Sequence, residues 1–291
     1  MKVLKVPKGL IGVPYYHNAL TLNGLSIVES CTHTQKSKTG SMFLEDHLLL
    51  FVLEGRMTIN YGKTSYTVHK NEMVLLKKSI NIEYDKIGNP GNNDIYDSVM
   101  FFLKDEFLLD FIKLTGVSST QTIEMAKVSV KPVKERLEGY VASIKPYFTQ
   151  SDNIDGSLIR LKMLELLHDI SDTDQNLLLQ LLQLKTPVQT DIKQIIEENY
   201  MNPVSLTDLA YLSGRSLSSF KRDFHTVYLV PPAQWIREKR LAKAKELLIM
   251  TDMAVKDVCY ATGFEDLANF SRLYKSYFGN SPSAERISMT S

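Results

Sequence analysis

The chain has 291 residues, a hydrophobic fraction of 44% and a formal net charge of +1 at pH 7. This length is enough for two domains of ordinary size, and the composition is that of a globular protein that can bury a core in each. The near-zero charge points to no particular partner. The longest unbroken apolar run, Leu48–Leu53, is far too short to cross a bilayer.

Two further features bear on the compartment. The N-terminus lacks the apolar segment of a signal peptide. The two cysteines, Cys31 and Cys259, fall in different predicted domains, so a disulfide is not expected. Together these features predict a cytoplasmic protein with reduced thiols and without a membrane segment.

Short strands are predicted from about residue 20 to residue 103. Leu48–Leu53 is continuously apolar, Met57–Tyr61 alternates between apolar and polar residues, and Tyr61–Tyr66 contains a turn. Further strands and a loop complete the series: Met73–Leu76, Ile80–Tyr84, the loop at residues 88–94, and Ser98–Leu103. Many short strands joined by close turns are typical of a small β-barrel or jelly roll.

From Lys104 onward the apolar residues recur with helical spacing. Three stripes carry this signal: Phe107, Leu108, Phe111, Ile112 and Leu114; Val133, Leu137, Tyr140, Val141, Ile144 and Phe148; and Leu158, Leu161, Leu164, Leu167 and His168. Such stripes need a partner surface, which is either the barrel or a second copy of the chain. Leu177–Leu184 predicts one more helix, and Pro187 bars its easy continuation.

These patterns divide the chain into three segments. Residues 1–184 form the predicted barrel domain with its C-terminal helices, residues 185–190 form a linker, and residues 191–291 form an all-α domain. The predicted fold class is therefore α+β with two domains.

Two stretches near the C-terminus share one pattern, Leu206–Phe224 and Val255–Tyr274. Each predicts a short apolar helix, a glycine turn, and a second helix in which arginine follows an aromatic residue by two positions. In the first stretch, Ser205 and Ser216 are expected to cap the two helices, and Gly214 to adopt the left-handed turn. The pair predicts two helix-turn-helix motifs.

The exposed side of each second helix supplies the candidate DNA contacts. Its early residues can reach base edges in a major groove while its cations meet phosphates, and asparagine can bond adenine through two hydrogen bonds. Glu265 and Asp266, at the start of the later helix, are expected to cap it, although they could also accept from cytosine. The candidates are Arg215, Ser218, Ser219, Lys221 and Arg222 in the first motif and Glu265, Ala268, Asn269, Arg272 and Lys275 in the second.

Pro231–Leu248 connects the two motifs and predicts a helix, which Pro232 is expected to start. About 18 residues span roughly 27 Å, which can hold two recognition helices near the roughly 34 Å repeat of a duplex turn. The first motif and this helix are rich in cations, as expected of a phosphate-facing surface. These cations are Arg215, Lys221, Arg222, Arg237, Lys239, Arg240, Lys243 and Lys245.

About the last hundred residues resemble the AraC/XylS family of bacterial transcription regulators. The most specific part of the match comprises Gly263-Phe264, Phe270-Ser271-Arg272, Lys275, Phe278-Gly279, Ser281-Pro282 and Arg286. The chain departs mildly from the pattern. Asp223 makes the first helix less basic, Tyr274 replaces a phenylalanine, and Glu285 replaces an aromatic residue, which is expected to loosen the terminal packing.

The resemblance implies a sequence-specific regulator, usually an activator. It would bind promoter double-stranded DNA as a homodimer and act with RNA polymerase. The N-terminal half resembles, more weakly, the cupin-type barrel of this family, through its strand pattern and the glycine hairpin Leu53–Met57. It is also similar to the ExsA-like branch, in which the effector can be a protein instead of a small molecule. Both kinds of effector stay open at this point.

An enzyme is the rejected alternative. Metal-using cupins carry a His-x-His pair, a glutamate and a later histidine, whereas here His33, His47 and His69 are scattered and no His-x-His exists. No acid/base pair, nucleophile arrangement or phosphate loop stands out. We therefore predict no catalytic residue, metal or cofactor.

Overall fold

The computed structural model of the protein describes residues 3–10, 17–117, 127–182 and 191–287. The chain divides into two compact units, Leu4–Lys185 and Thr186–Ser291. We call them the sheet unit and the helical unit. The predicted linker, residues 185–190, lies outside the described residues.

The strands of the sheet unit follow one another along the chain. They are β1 (Leu4–Val6), β2 (His17–Leu22), β3 (Leu25–His33), β4 (Ser37–Leu44), β5 (His47–Glu54), β6 (Arg56–Tyr61), β7 (Thr64–His69), β8 (Glu72–Leu76), β9 (Asn81–Ile87), β10 (Tyr96–Leu103) and β11 (Val128–Pro132). They form a five-stranded sheet in the order β1-β4-β9-β6-β7 and a six-stranded sheet in the order β11-β8-β5-β10-β3-β2. The pairing is antiparallel except between β1 and β4.

Four helices cover the outer face of the six-stranded sheet: α1 (Asp105–Thr115), α2 (Glu135–Ile144), α3 (Gly156–Thr173) and α4 (Gln175–Leu182). One core lies between the two sheets and a second lies between the six-stranded sheet and these helices. On β5, Leu48, Leu50 and Val52 belong to the first core, whereas Leu49 and Phe51 belong to the second. Because successive side chains of a strand point to opposite faces, a strand covered on both sides has an unbroken apolar sequence.

The predicted α+β class with two domains is confirmed, but the barrel is an open pair of sheets. The edge strands are β1 and β7 in one sheet and β11 and β2 in the other. Among the described residues, no ladder joins these edges. Alternating apolar residues are the same in a closed barrel and in two stacked sheets, so the strand pattern cannot distinguish them. The sequence also missed β1, β11 and the 3-10 helix Lys145–Asn153.

The apolar stripe predicted for α3 is rotated about the helix axis relative to the face that the structure buries. The face that packs on the sheet consists of Ile159, Met163, Leu166, Leu167 and Ile170, all buried. Leu161, a residue of the predicted apolar stripe, is 62% exposed. The leucine-rich sequence offers two overlapping helical stripes, and only packing selects between them.

The helical unit contains α5 (Ile192–Asn199), α6 (Leu206–Leu212), α7 (Leu217–Tyr228), α8 (Pro232–Met250), α9 (Val255–Ala261), α10 (Leu267–Phe278) and α11 (Pro282–Ile287). It has two small cores. Helices α5, α6 and α7 enclose the first, α9 and α10 enclose the second, and the 19-residue α8 contributes to both. The predicted connecting helix therefore forms, and it serves as the shared scaffold of the unit.

Candidate nucleic-acid interface

The helical unit contains two helix-turn-helix motifs of the same construction. Helices α6 and α7 form the first, and α9 and α10 form the second. The later helix of each motif, which we call its recognition helix, is 12 residues long and begins with a side-chain cap. Ser216 accepts a hydrogen bond from the backbone N–H of Ser219, and Asp266 accepts one from that of Asn269. Each cap satisfies an N–H group that the helix itself leaves unpaired.

When the two recognition helices are aligned on their capping residues, two buried aromatic residues in each helix, which we call its anchors, fall at the same positions. Phe220 and Phe224 of α7 match Phe270 and Tyr274 of α10, and all four side chains are fully buried. The four-residue spacing puts each pair on one face of its helix. The paired rings lie 5.8 Å apart in α7 and 5.7 Å apart in α10. The opposite face of each recognition helix is therefore left to solvent.

The exposed arginine of each recognition helix is held in the same way. Arg222 Nη2 donates to Oγ of Ser219 at 3.3 Å, and Arg272 Nη2 donates to Oδ1 of Asn269 at 3.0 Å. Both arginines are exposed, and each guanidinium has further donors for a ligand. The pairing directs the arginine towards the N-terminal turn, the part of a recognition helix that meets base edges. The sequence predicted these residues but not their pairing.

The other candidates on these helices also lie on the solvent side. Ser218 and Lys221 of α7 and Ala268 and Lys275 of α10 are exposed, and Ser219 is half-buried. Small side chains thus precede the cations on both helices. This arrangement lets the helix approach a groove closely while its cations reach outward.

Arg215 differs from the other candidates because its side chain is engaged within the first motif. The side chain is only 12% exposed, and its Nε lies 3.1 Å from Oδ2 of Asp223. Its Nη1 donates to the backbone carbonyl of Ser213 at 2.7 Å. These contacts tie the turn to α7, and a DNA contact of Arg215 stays a prediction.

Asp223 makes the charge of the two recognition helices unequal. Its Oδ1 lies 3.3 Å from Nε of Arg222, and hydrogen bonds from Arg215 and then from Arg222 hold the pKa of its carboxyl below the usual value. The matching position of α10 is Leu273. Arg222 therefore has an ionised carboxylate beside it, where Arg272 has an apolar neighbour.

The connecting helix is a less basic surface than its composition predicted. Its lysines pair with nearby carboxylates: Lys239 with Glu197 at 3.9 Å, Lys243 with Glu246 at 2.6 Å, and Lys245 with Glu285 at 3.0 Å. Arg240 is directed into the unit, where it donates to three backbone carbonyls. A count of cations along the chain cannot show this, because the acids that pair with them come from other elements or other turns.

The acidic residues near the second motif act within the protein. Asp266 caps α10 through the N–H of Asn269 at 2.6 Å, as predicted. Glu265 is exposed, and its charge favours the protonated form of Arg240. Glu285 is buried and paired with Lys245, so it too is engaged within the unit, and the expected loosening of the terminal packing stays a prediction.

The three histidines of the rejected enzyme hypothesis do not converge. His33 is buried and stacks on Tyr96, with ring centroids 5.1 Å apart. His47 is buried elsewhere in the sheet unit, and burial lowers its pKa to about 3, whereas His69 is exposed. Within residues 3–10, 17–117, 127–182 and 191–287, no group of three or more His, Cys, Asp or Glu side chains could hold a metal ion.

Among the described residues, one small cavity lies between the two sheets. A cavity of about 20 Å³ is lined by Leu4, Val6, Leu10, Lys38, Met42, Leu48, Tyr84, Lys86, Met100 and Phe102. This volume suits about one water molecule, whereas pockets for organic ligands hold about 300–1,000 Å³. Tyr84 lines this cavity and packs against the core between the sheets. Of the helices in the described parts of the chain, none has the length and apolarity that a membrane span requires.

Two helix-turn-helix motifs on one shared helix define a DNA-binding protein, and comparisons with known proteins agree. The ExsA N-terminal regulatory domain family matches residues 47–182, and a helix-turn-helix domain family matches residues 209–287. The thermoregulatory protein LcrF of Yersinia pestis is 32% identical over 251 residues, which cover 82% of this chain and 88% of LcrF. The transcriptional regulator ExsA of Pseudomonas aeruginosa is 24% identical over 242 residues, 81% of this chain and 84% of ExsA. Among solved structures, a ToxT variant from Vibrio cholerae matches 90% of this chain and 97% of its own, with 15% identity and a TM-score of 0.45.

The chain belongs to the AraC family of transcription regulators and carries an N-terminal regulatory domain of the ExsA type. It is a DNA-binding regulator and not an enzyme, as the sequence predicted.

Proposed function

We propose that the protein reads promoter DNA by placing α7 and α10 in two successive major grooves on one face of the duplex. The observation that carries this proposal is the matching geometry of the two recognition helices, in which an exposed arginine is held on the third residue of each helix. In α10 that residue is Asn269, which can bond an adenine edge, and Arg272 can bond guanine. Lys221 and Lys275 would meet phosphates. Ser218, Ser219 and Ala268 would lie against the bases, and the charge of Glu265 would favour the protonated form of Arg240.

The proposal is tested with Arg222→Ala and Asn269→Ala. Each should weaken binding to the cognate site by about tenfold or more, because a base contact is lost. The probe is a duplex selected from a random-sequence pool by the wild-type protein, and binding is measured by fluorescence anisotropy. Arg56→Ala and Asn18→Ala make the same chemical changes on exposed residues of the sheet unit and should bind normally. Normal binding by both helix variants would show that the residue assignment is wrong.

We propose, as a second point, that the signal which controls the sheet unit is a protein. The cavity lined by Leu48, Tyr84 and Phe102, at about 20 Å³, is too small to enclose an organic effector, and this supports a protein effector. The full-length protein is isolated from its own cells in a state in which the regulator is active and in one in which it is inactive. Native mass spectrometry should show a bound protein in only one of these two states. A stoichiometric small-molecule adduct would overturn the proposal. The homodimer, the contact with RNA polymerase and the cytoplasmic location stay predictions.

A further inference from the structure

The two cores of the helical unit meet along α8. Trp235 and Ile236 pack with the first core, and Leu241, Ala244 and Leu248 belong to the second. Arg240 lies immediately before the second group, where the helix passes from one core to the other. Each core holds one recognition helix, since Phe220 belongs to the first and Phe270 to the second. A contact at this border therefore acts on the relative position of α7 and α10.

The guanidinium of Arg240 makes such a contact. Its Nε donates to the carbonyl of Tyr200 at 2.5 Å and its Nη2 to that of Asn202 at 2.6 Å, both just after α5 in the first half of the unit. Its Nη1 donates to the carbonyl of Gly263 at 2.9 Å, in the turn of the second motif. Burial lowers the pKa of Arg240 to about 10, so the group remains protonated at neutral pH. One side chain thus joins the two halves through three backbone carbonyls.

The backbones of the two halves also touch at this point. Gly263 has a φ of +83°, and a Cβ there would lie 2.5 Å from the carbonyl oxygen of Met201 and 3.0 Å from Cζ of Arg240. The turn of the second motif therefore rests directly on the segment that Arg240 binds. Helix α10 begins four residues after this turn, at Leu267. Little chain separates the contact from the helix that it would orient.

We infer that Arg240 is a positioning residue that fixes the distance and angle between α7 and α10, and thereby the spacing of the two DNA half-sites that the protein accepts. This inference rests on the proposed reading of DNA by both helices. One inserted base pair moves a half-site by about 3.4 Å and turns it by roughly 35° about the duplex axis. A planar guanidinium with three donors in fixed directions resists such a shift, whereas a lysine ammonium is a single flexible point of contact.

The test compares affinities for a selected duplex and for the same duplex with one base pair inserted or deleted between its half-sites. The affinity of the wild-type full-length protein should fall about tenfold when a base pair is inserted and about tenfold when one is deleted, as it does for a mismatched base pair. The affinity of Arg240→Lys should fall by less than about threefold on either change of spacing, although its affinity for the original duplex is lower than that of the wild-type protein. Arg237→Lys makes the same substitution on the exposed side of α8 and should keep the wild-type ratio. The ratio within one preparation does not depend on the folded fraction, so a partly unfolded variant can still be interpreted.

The possible results separate the inference from the function on which it rests. If wild-type protein binds all spacings equally, the reading of two grooves is wrong, and the inference is overturned with it. If wild-type protein discriminates and Arg240→Lys discriminates equally, the two-groove proposal stands and the role of Arg240 is overturned. A relaxed ratio in Arg240→Lys alone supports the inference. A general loss of stability would not produce it.

Discussion

The two helix-turn-helix motifs share a backbone plan but differ in their turns and in the surroundings of their arginines. Both recognition helices have 12 residues, a side-chain cap and two buried aromatic anchors. From the turn glycine to the cap there are two positions in the first motif, Gly214 to Ser216, and three in the second, Gly263 to Asp266. The second turn also rests against the first half of the unit through Arg240. The shared features are those that burial and helix capping require, whereas the differences concern docking and surface charge.

This comparison shows which parts of a repeated motif are constrained. An anchor such as Phe220 or Phe270 cannot change without opening a core, so both copies retain it. Asp223 and Leu273 occupy matching positions that are only half-buried, and there one copy carries a charge and the other does not. The two motifs should therefore contribute unequally to DNA affinity although their helices are alike.

The larger expected effect concerns the turn of the second motif. Gly263→Ala should destabilise the helical unit by about 3 kcal/mol or more, because it adds a clash with a backbone oxygen to the strain of a positive φ. Gly279 also has a positive φ, of +86°, but a Cβ there meets nothing within 4 Å. Gly279→Ala should therefore cost only about 1–2 kcal/mol. Trp235, the single tryptophan, lies in the helical unit, so its fluorescence during urea unfolding measures both variants. Equal losses of unfolding free energy in the two variants would show that Gly263 is not constrained by its contact with the first half of the helical unit.

The smaller expected effect concerns the charge next to Arg222. Asp223→Asn should bind the selected duplex about threefold more tightly at low salt, because a carboxylate near the phosphates is removed. The asparagine can still accept from Arg215, which preserves the turn. Asp252→Asn makes the same charge change at an exposed residue outside the recognition helices, so it controls for net charge.

The pH dependence of this effect follows from the lowered pKa of Asp223. A carboxyl whose pKa lies below the usual value stays ionised from about pH 6 to about pH 8. The ratio of the Asp223→Asn and wild-type affinities should therefore be constant over that range. An advantage that disappears at about pH 6, or one shared by Asp252→Asn, would contradict the role given to Asp223.

Much of the fold and the site could be predicted from local sequence. The caps Ser205, Ser216 and Asp266 were identified because a capping side chain acts on its own first turn. The four-residue spacing of the aromatic anchors, which places each pair on one helix face, is visible in the sequence. The roles of Arg215 and Arg240 could not be found in this way, since their partners depend on the turn and on a segment about 40 residues upstream.

The sequence alone determined where the helices and most strands lie, that two helix-turn-helix motifs repeat, and which faces of the recognition helices are exposed. These properties depend on spacings of two to four residues, which the chain order fixes. Only the tertiary structure decided that the strands form two open sheets, that the cavity seen between their described residues holds about 20 Å³, and that most cations of α8 are paired. It also decided that Arg240 joins the two halves of the helical unit. Those properties depend on contacts between residues that are distant in sequence. The type of a side chain does not specify which of many possible partners it contacts.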